Sequence, residues 1–211
     1  MRVLITGSTG LGAVVAEAFK EHDLTIIGRN IPLPYDHQFD IVIHTAGGGL
    51  GFKNNLLTEI EFYELFRLNL VLQAGINRLV LPHMIERRSG YICHVCSIAS
   101  GEAVGSVGYN TVKAALAAYV RSLGREMAQH GIVVSGIAPG GFRCDGNAMD
   151  RLAHSNPEAY DQFITERLPR GRMGDAQELI PLIKLLTSPA GSMMAGCVVP
   201  IDAGEGRYYT S

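Results

Sequence analysis

Short runs rich in Val and Ile recur along this sequence, and helical patterns lie between most of them. The runs are RVLIT (2–6), LTIIG (24–28), DIVIHT (40–45), GYICHVCS (90–97), IVVSGIA (132–138) and GCVVPI (196–201). Their near-continuous apolar character suits strands covered on both faces, as in a parallel sheet. Helical patterns occupy 11–22, 58–88, 108–129 and 175–187. Alternation of this kind predicts an α/β fold, a doubly wound parallel sheet with helices on both faces. Two segments break it. RNIPLPYDHQFD (29–40) is too short for a helix plus a strand, and Pro32 and Pro34 discourage both, so one βα unit is expected to be shortened there. Residues 139–172 form a long stretch punctuated by Pro and Gly, the length expected of a lid or binding loop. Within it Asn156 is placed to cap a short helix with Pro157 at its first position. With no internal repeat or linker, residues 1–211 read as a single domain.

Composition narrows the function. Hydrophobic residues at 47% against 18% charged exclude a disordered chain. A formal charge of −2, with Lys and Arg scattered, provides no basic face for nucleic acid. No apolar run approaches the ~18 residues of a membrane span. MRVLITGSTG reads as a first strand rather than a signal peptide, so a cytoplasmic location is expected. Four cysteines are too few for a disulfide scaffold. Cys93 and Cys96 form a C-x-x-C, but residues three apart on a strand point to opposite faces, so they are expected to be buried small hydrophobes. The histidines show no metal-ligand spacing, no metal site is expected, and His44 and His94 read as interior or edge residues of strands.

VLITGSTGLGAVVAEAF (3–19) reads as strand, glycine turn and helix. Gly7, Gly10 and Gly12 allow a tight turn and close approach of a pyrophosphate to the helix N-terminus. Ser8 and Thr9 add hydroxyl donors, and Leu11 opens the helix. The fold is therefore expected to be a Rossmann-type dinucleotide-binding domain. An acidic residue closing the second strand would hydrogen-bond the ribose of NAD. Here IIGRN places Arg29 and Asn30 at that point, and a guanidinium suits a 2′-phosphate, so NADP is expected in preference to NAD.

TGSTGLG near the start, HTAGG (44–48), LNL (68–70), CSIAS (96–100), YNTVK (109–113), APGGF (138–142) and the closing RMGDAQELIPLIKLLTSPAGSMMAGCVVPIDAG occur in order. This ordered set resembles the short-chain dehydrogenase/reductase (SDR) family, specifically its short single-domain members, over essentially the whole chain. The chemistry of YNTVK also follows from spacing. Tyr109 and Lys113 are one helical turn apart, on one face. A tyrosine hydroxyl ordinarily loses its proton near pH ~10, and a neighbouring cation favours the phenolate. The resemblance implies Tyr109 as general acid/base, with Lys113 assisting it and holding the nicotinamide ribose. It implies Ser97 hydrogen-bonding the substrate oxygen and Asn69 holding a water that links Lys113 to solvent. It also implies Ala46 and Gly47 on the adenosine side, Pro139 and Gly140 against the nicotinamide face, and residues 141–172 closing over the substrate. Helices 58–88 and 108–129 resemble the family's dimer interface, so a homodimer or homotetramer is expected.

The chain departs from the family pattern at several points. TGSTGLG is one residue short between its first two glycines and also fits the G-x-x-G-x-x-A of longer members (Gly7, Gly10, Ala13). Thr45 replaces the usual Asn before Ala-Gly, which is expected to weaken a strand-bridging hydrogen bond. Ser97 and Tyr109 are twelve apart, one fewer than usual, and Cys144 stands where a threonine would bind the nicotinamide carboxamide. The leading expectation is an NADP(H)-dependent oxidoreductase interconverting a small-molecule ketone and a secondary alcohol. Two alternatives share the scaffold. One is an epimerase or dehydratase of a (nucleotide) sugar, whose relatives carry a longer C-terminal substrate domain. The other is a non-catalytic NADP-sensing protein, which would usually lose the Tyr or the Lys. Arg143, Arg151, Arg167, Arg170 and Arg172 are candidates for binding an anionic group, with solvated surface charge as the alternative.

Overall fold

The computed structural model describes residues 1–28 and 35–207. β1 (Arg2–Thr6) leads through α1 (Leu11–Ala18) to β2 (Asp23–Ile27), and β3 (Ile41–His44) follows. α2 (Glu59–Phe66), a π turn (Arg67–Val71) and α3 (Leu72–Arg87) run consecutively toward β4 (Gly90–Val95). α4 (Val107–Ala128) leads into β5 (Ile132–Pro139). Next come the two-residue β6 (Phe142–Arg143), α5 (Ala148–Ser155), α6 (Pro157–Arg167) and the two-residue β7 (Gly174–Asp175). α7 (Ile180–Leu186) and β8 (Val198–Ile201) complete the order.

Six strands form one parallel sheet in the order β2-β1-β3-β4-β5-β8. The chain leaves β1 for one side of it and returns on the other, so strand order reverses between β1 and β3. In doubly wound sheets, ligands bind outside the carboxyl ends of the strands at such a switch point. Strand alternation builds the two layers. Val3, Ile5, Ile41, Ile43, Cys93 and Ile137 pack against Val15 and Phe19 of the α1 side and Ile180, Ile183 and Leu186 of α7. Leu4, Val42, Ile92 and Val134 pack against Val80, Leu81 and Met84 of α3 and Leu123 and Met127 of α4. Each such side chain stabilises the fold by about 1.5–3 kcal/mol relative to exposure. Cys93 and Cys96 lie in different clusters, as alternation requires. Burial pushes the Cys96 thiol up to about 11 and the Cys93 thiol higher still, which leaves both as unreactive packing groups.

Several boundaries differ from expectation. The helical pattern at 58–88 is broken by the π turn, which inserts an extra residue per turn and buries Asn69. The helix expected over 11–22 ends at Ala18, and the one expected over 175–187 begins as a 3₁₀ turn, Ala176–Leu179, capped by Asp175. Within the 29–40 break, residues 29–34 lie outside the described residues, and 35–40 form neither helix nor strand. β2 is an edge strand among the described residues.

The stretch between β5 and α7 is more ordered than its composition suggests. Asn147 caps α5 through the Asp150 amide, and Asn156 caps α6 with Pro157 at its start. β6 and β7 pair in parallel, with Gly174 N donating to Gly141 O at 3.1 Å, so the two ends of the insertion are fastened together. The buried Glu205 carboxylate, beyond β8, accepts the Gly141 amide at 2.5 Å and pairs with Arg167 of α6 at 3.2 Å. Burial raises this carboxyl above its ordinary range, while the Gly141 amide and Arg167 oppose that shift.

Candidate active site

Among the described residues, the glycine turn, Ala46, Gly47, Ser97 and Pro139 lie at the carboxyl ends of β1, β3, β4 and β5, with Asn69, Tyr109 and Lys113 beside them. After β1 the chain turns through glycines: Gly7 has φ 97° and Gly10 φ 55° with ψ −126°. Gly7 N donates to Ile27 O at 2.7 Å, which seats the turn on the end of β2. No side chain caps α1, so the turn is built from backbone alone. A Cβ at Gly12 would stand 1.9 Å from Gly7 O and 2.8 Å from Thr45 Oγ1. Gly12→Ala is therefore expected to force the turn open and destabilise the protein by about 1–3 kcal/mol, read as a lowered denaturation midpoint. Arg29 and Asn30 lie outside the described residues. Gly28, just before them, sits so close to Ser8 that a Cβ there would be 2.7 Å from Ser8 Oγ.

The loop after β3 forms the centre of the site. Thr45 Oγ1 donates to Thr6 O at 2.5 Å, so the strand-bridging bond expected to be weak is made by the shorter side chain. Asn69, buried by the π turn, grips Gly48 at both ends of its backbone. Its Nδ2 donates to Gly48 O at 2.9 Å and its Oδ1 accepts from Gly48 N at 3.0 Å. The other Nδ2 hydrogen goes to Leu65 O at 3.0 Å, so one lone pair on Oδ1 remains. A Cβ at Gly47 would lie 2.9 Å from Asn69 Oδ1 and 3.3 Å from Lys113 Nζ, so Gly47 stands beside both groups.

Lys113 is 3% exposed and donates from Nζ to Val95 O, the last carbonyl of β4, at 2.8 Å. Nζ stands 5.7 Å from the centroid of the Tyr109 ring. That ring occupies a slot walled by glycines: a Cβ at Gly49 would meet Cδ2 at 3.7 Å, and one at Gly105 would meet Cδ1 at 2.9 Å. Asn110 braces the slot, accepting from Gly105 N at 2.9 Å. The short connection from Ser97 to Tyr109 is taken up by a 3₁₀ turn, Ile98–Ser100, packed on α4. Ser97 Oγ accepts the Ala99 amide at 3.1 Å, leaving its own hydroxyl proton to donate elsewhere. Pro139 ends β5 buried, and Gly140 lies against Asp202 and Glu205. Cys144 packs on the glycine turn: a Cβ at Gly10 would lie 3.5 Å from its Sγ. The Leu11 amide also faces this thiol, and burial raises it above its ordinary range.

The family model for short chain dehydrogenase matches residues 35–154. A 2-dehydro-3-deoxy-D-gluconate 5-dehydrogenase of Formosa agariphila is 31% identical over 169 residues, covering 78% of this chain and 62% of that protein. The chain belongs to the short-chain dehydrogenase family. A 5-keto-D-gluconate 5-reductase of Escherichia coli K12 is 30% identical over 166 residues, covering 78% of this chain and 64% of the relative. The chain thus spans less than two thirds of the length of these two relatives. Among solved structures, a 3-oxoacyl (acyl-carrier-protein) reductase from Agrobacterium tumefaciens C58 with NADP bound has the same fold, at TM-score 0.83 and 22% identity. That match covers 96% of this chain and 93% of the other.

The chain also carries a buried polar circuit beneath the site, of which only interior strand histidines were read from the sequence. His44 and His94, both fully buried, are register partners on β3 and β4, and their rings stack at 4.5 Å. His44 Nε2–H donates to Asn77 Oδ1 at 2.8 Å, and Asn77 Nδ2 donates to His94 Nε2 at 3.2 Å and to Tyr119 OH at 3.1 Å. His94 Nδ1–H donates to Gln73 Oε1 at 2.6 Å, and Gln73 Nε2 donates to Ala46 O at 2.9 Å. Thr6 Oγ1 accepts the Ala46 amide at 3.3 Å and reaches His44 Nδ1 at 3.5 Å. Both backbone groups of Ala46 are thereby held, and every imidazole nitrogen has a partner while both rings stay neutral. Asn69, Gln73 and Asn77 lie four apart, an amide stripe on one helix face, and that periodicity is the signal from which the circuit was legible.

Proposed function

We propose that the protein is an NADP(H)-dependent oxidoreductase that interconverts a ketone and a secondary alcohol of a small molecule. The observation that carries this reading is the convergence of Tyr109, Lys113 and Asn69 on the loop 47–49 at the switch point of the sheet. A dinucleotide fits the residues present. The glycine turn offers backbone without side chains at the N-terminus of α1, where a pyrophosphate is held by amides and the helix dipole. Ser8, Thr9 and Leu11 would line it, with Ala46, Gly47, Pro139 and Gly140 along the remaining length and Arg29 and Asn30 toward a 2′-phosphate.

The nicotinamide, when bound, supplies or accepts the hydride. Tyr109 donates its hydroxyl proton to the carbonyl oxygen as that oxygen gains charge, so ketone, hydride and proton together become alcohol. In oxidation the phenolate takes the alcohol proton. Lys113, one turn away, would hold the cofactor ribose. Ser97 donates to the substrate oxygen with the proton its own bonding leaves available. The remaining lone pair on Asn69 Oδ1 can take a water from Lys113, which makes Asn69 both clamp of Gly48 and proton outlet. The segment 141–172 serves as the substrate lid, and the chain acts as one domain. Ile60 and Tyr63 of α2, with Val71 ending the π turn and Leu72 starting α3, are exposed and largely apolar, which supports assembly with a second copy as a homodimer or homotetramer.

The names of the relatives direct the substrate search to keto and hydroxy sugar acids and to 3-oxoacyl thioesters. The test is fluorescence titration with NADPH and NADH, followed by nicotinamide absorbance on a panel of such carbonyl compounds. Arg29→Asp is expected to shift the NADPH-to-NADH affinity ratio toward NADH by at least about tenfold, since a carboxylate would repel the phosphate and accept a ribose hydroxyl. An unchanged ratio removes Arg29 from the reading.

A further inference from the structure

The lid carries five arginines, and four of them are matched to carboxylates. Arg143 pairs with Asp150 at 2.8 Å, Arg167 with Glu205 at 3.2 Å, and Arg170 and Arg172 with Glu178 at 2.8 and 2.9 Å. Arg151 is the exception. It donates to the Gly146 carbonyl and, among the described residues, pairs with no carboxylate. Lys53 likewise pairs with none among the described residues. These two exposed cations line the same open cleft, of about 620 Å³, between the loop after β3 and the lid helix α5.

The surroundings of the cleft leave their charge available. Asp150 also lines it, but its carboxylate is committed to Arg143 and to the Gly146 amide at 3.0 Å. His154 lines it with Nδ1–H donating to the Asp150 carbonyl at 2.8 Å. Ala148 and Leu152 add an apolar wall, and the volume lies within the range of small-molecule sites. The loop also fixes the cleft relative to the chemistry. Gly47 abuts Lys113, Gly49 flanks the Tyr109 ring, and Gly51 and Lys53, two and four residues further on, form the wall of the cleft.

We propose that Lys53 and Arg151 form an anion-recognising subsite that selects carbonyl substrates carrying a carboxylate or phosphate away from the reacting carbon. This rests on the oxidoreductase reading of the Tyr109 site. An exposed guanidinium and an exposed ammonium facing one cleft can each bond one oxyanion, the guanidinium through two parallel N–H groups. Because both are exposed, each contact is worth little alone, and together they correspond to about a tenfold preference.

The test uses matched pairs: 4-oxopentanoate and 5-oxohexanoate against their methyl esters, and hydroxyacetone phosphate against hydroxyacetone. Dissociation constants are read by ligand-observed NMR and, in parallel, NADPH oxidation is followed. The wild-type protein is expected to bind at least one charged class about tenfold more tightly than its neutral partner, and the pair that responds separates carboxylate from phosphate. The Lys53→Gln/Arg151→Gln double variant is expected to bring that ratio to near one, and 0.5 M salt to compress it. Arg170→Gln, which alters a paired arginine outside the cleft, is expected to keep the ratio. Thermal melts of each variant separate loss of recognition from loss of fold. Equal affinity for charged and neutral partners in the wild type, or a ratio surviving in a folded double variant, overturns the proposal. Charge-selective binding that is lost in the double variant, with no NADPH oxidation by any compound, supports the subsite and counts against the oxidoreductase reading instead.

Discussion

Tyr109→Phe is expected to lower kcat by about 10²–10⁴-fold while leaving NADPH affinity within a factor of about two. The substitution removes one oxygen and keeps the ring, and the ring is what the structure holds. Gly49 and Gly105 wall its two edges, Asn110 braces Gly105, and Lys113 remains bonded to Val95 O. The variant should therefore fold and bind normally and lack only the proton donor. Lys113→Ala makes the contrasting case. It removes a buried group that ties α4 to the end of β4, so cofactor affinity, stability and kcat should all fall together. Single-turnover absorbance with saturating NADPH, beside a fluorescence titration, separates the two outcomes. Turnover within tenfold of wild type in Tyr109→Phe would sink the acid/base assignment.

Acidification should cost this protein stability earlier than its carboxylates alone would require. Burial holds His44 down to about 4, although the bond to Asn77 opposes the shift. Burial, then the nearby charges of His44 and Lys113, hold His94 well below its ordinary value. In the unfolded chain both take up protons near pH 6.5, whereas the native rings refuse them until far lower. The sign follows: the unfolded state binds more protons throughout that window, so stability is fully present above about pH 6.5 and is lost as pH falls toward 4. His44 alone corresponds to a loss on the order of 3 kcal/mol by the bottom of the window, and His94 adds in the same direction. Urea unfolding at pH 7.5, 6.5, 5.5 and 4.5 tests this, since the upper half of the range lies above most carboxylate titrations. A flat profile between pH 7 and 5 would mean that the imidazoles are not held neutral.

The parts of the fold legible in the sequence were those carried by repeated physical signals. Val/Ile runs gave all six strands of the large sheet their positions within two residues, because near-continuous apolar character leaves little polar alternation to blur them. The edge strand β8 starts later than GCVVPI suggests because Gly196 takes φ 78° and its amide bonds to Val134 O, ahead of the ladder. The π turn was hidden since nothing in RLNLV distinguishes it from an ordinary helical turn; the bonds it accompanies, from Asn69 to Gly48 and Leu65, include a tertiary contact 21 residues away. β6 and β7 have two residues each, too few for any period. Tyr109 and Lys113 were readable from spacing, but the glycine slot was not, because Gly49 and Gly105 are far apart in sequence and meet only across the tyrosine ring. Of the five lid arginines, composition made all alike; their pairing, a tertiary fact, divides four from one.

The short ladder between Phe142–Arg143 and Gly174–Asp175 has an evolutionary implication. It brings the entry and exit of some thirty residues to adjacent backbone positions, so the segment between them forms a cassette, held back on the fold a second time by the Arg167–Glu205 pair. Exchanging the cassette for a longer or shorter one changes loop-closure entropy only logarithmically and leaves the register of β5 and the seats of Tyr109 and Lys113 alone. The length of this segment can thus change between related chains without moving the residues proposed for proton transfer.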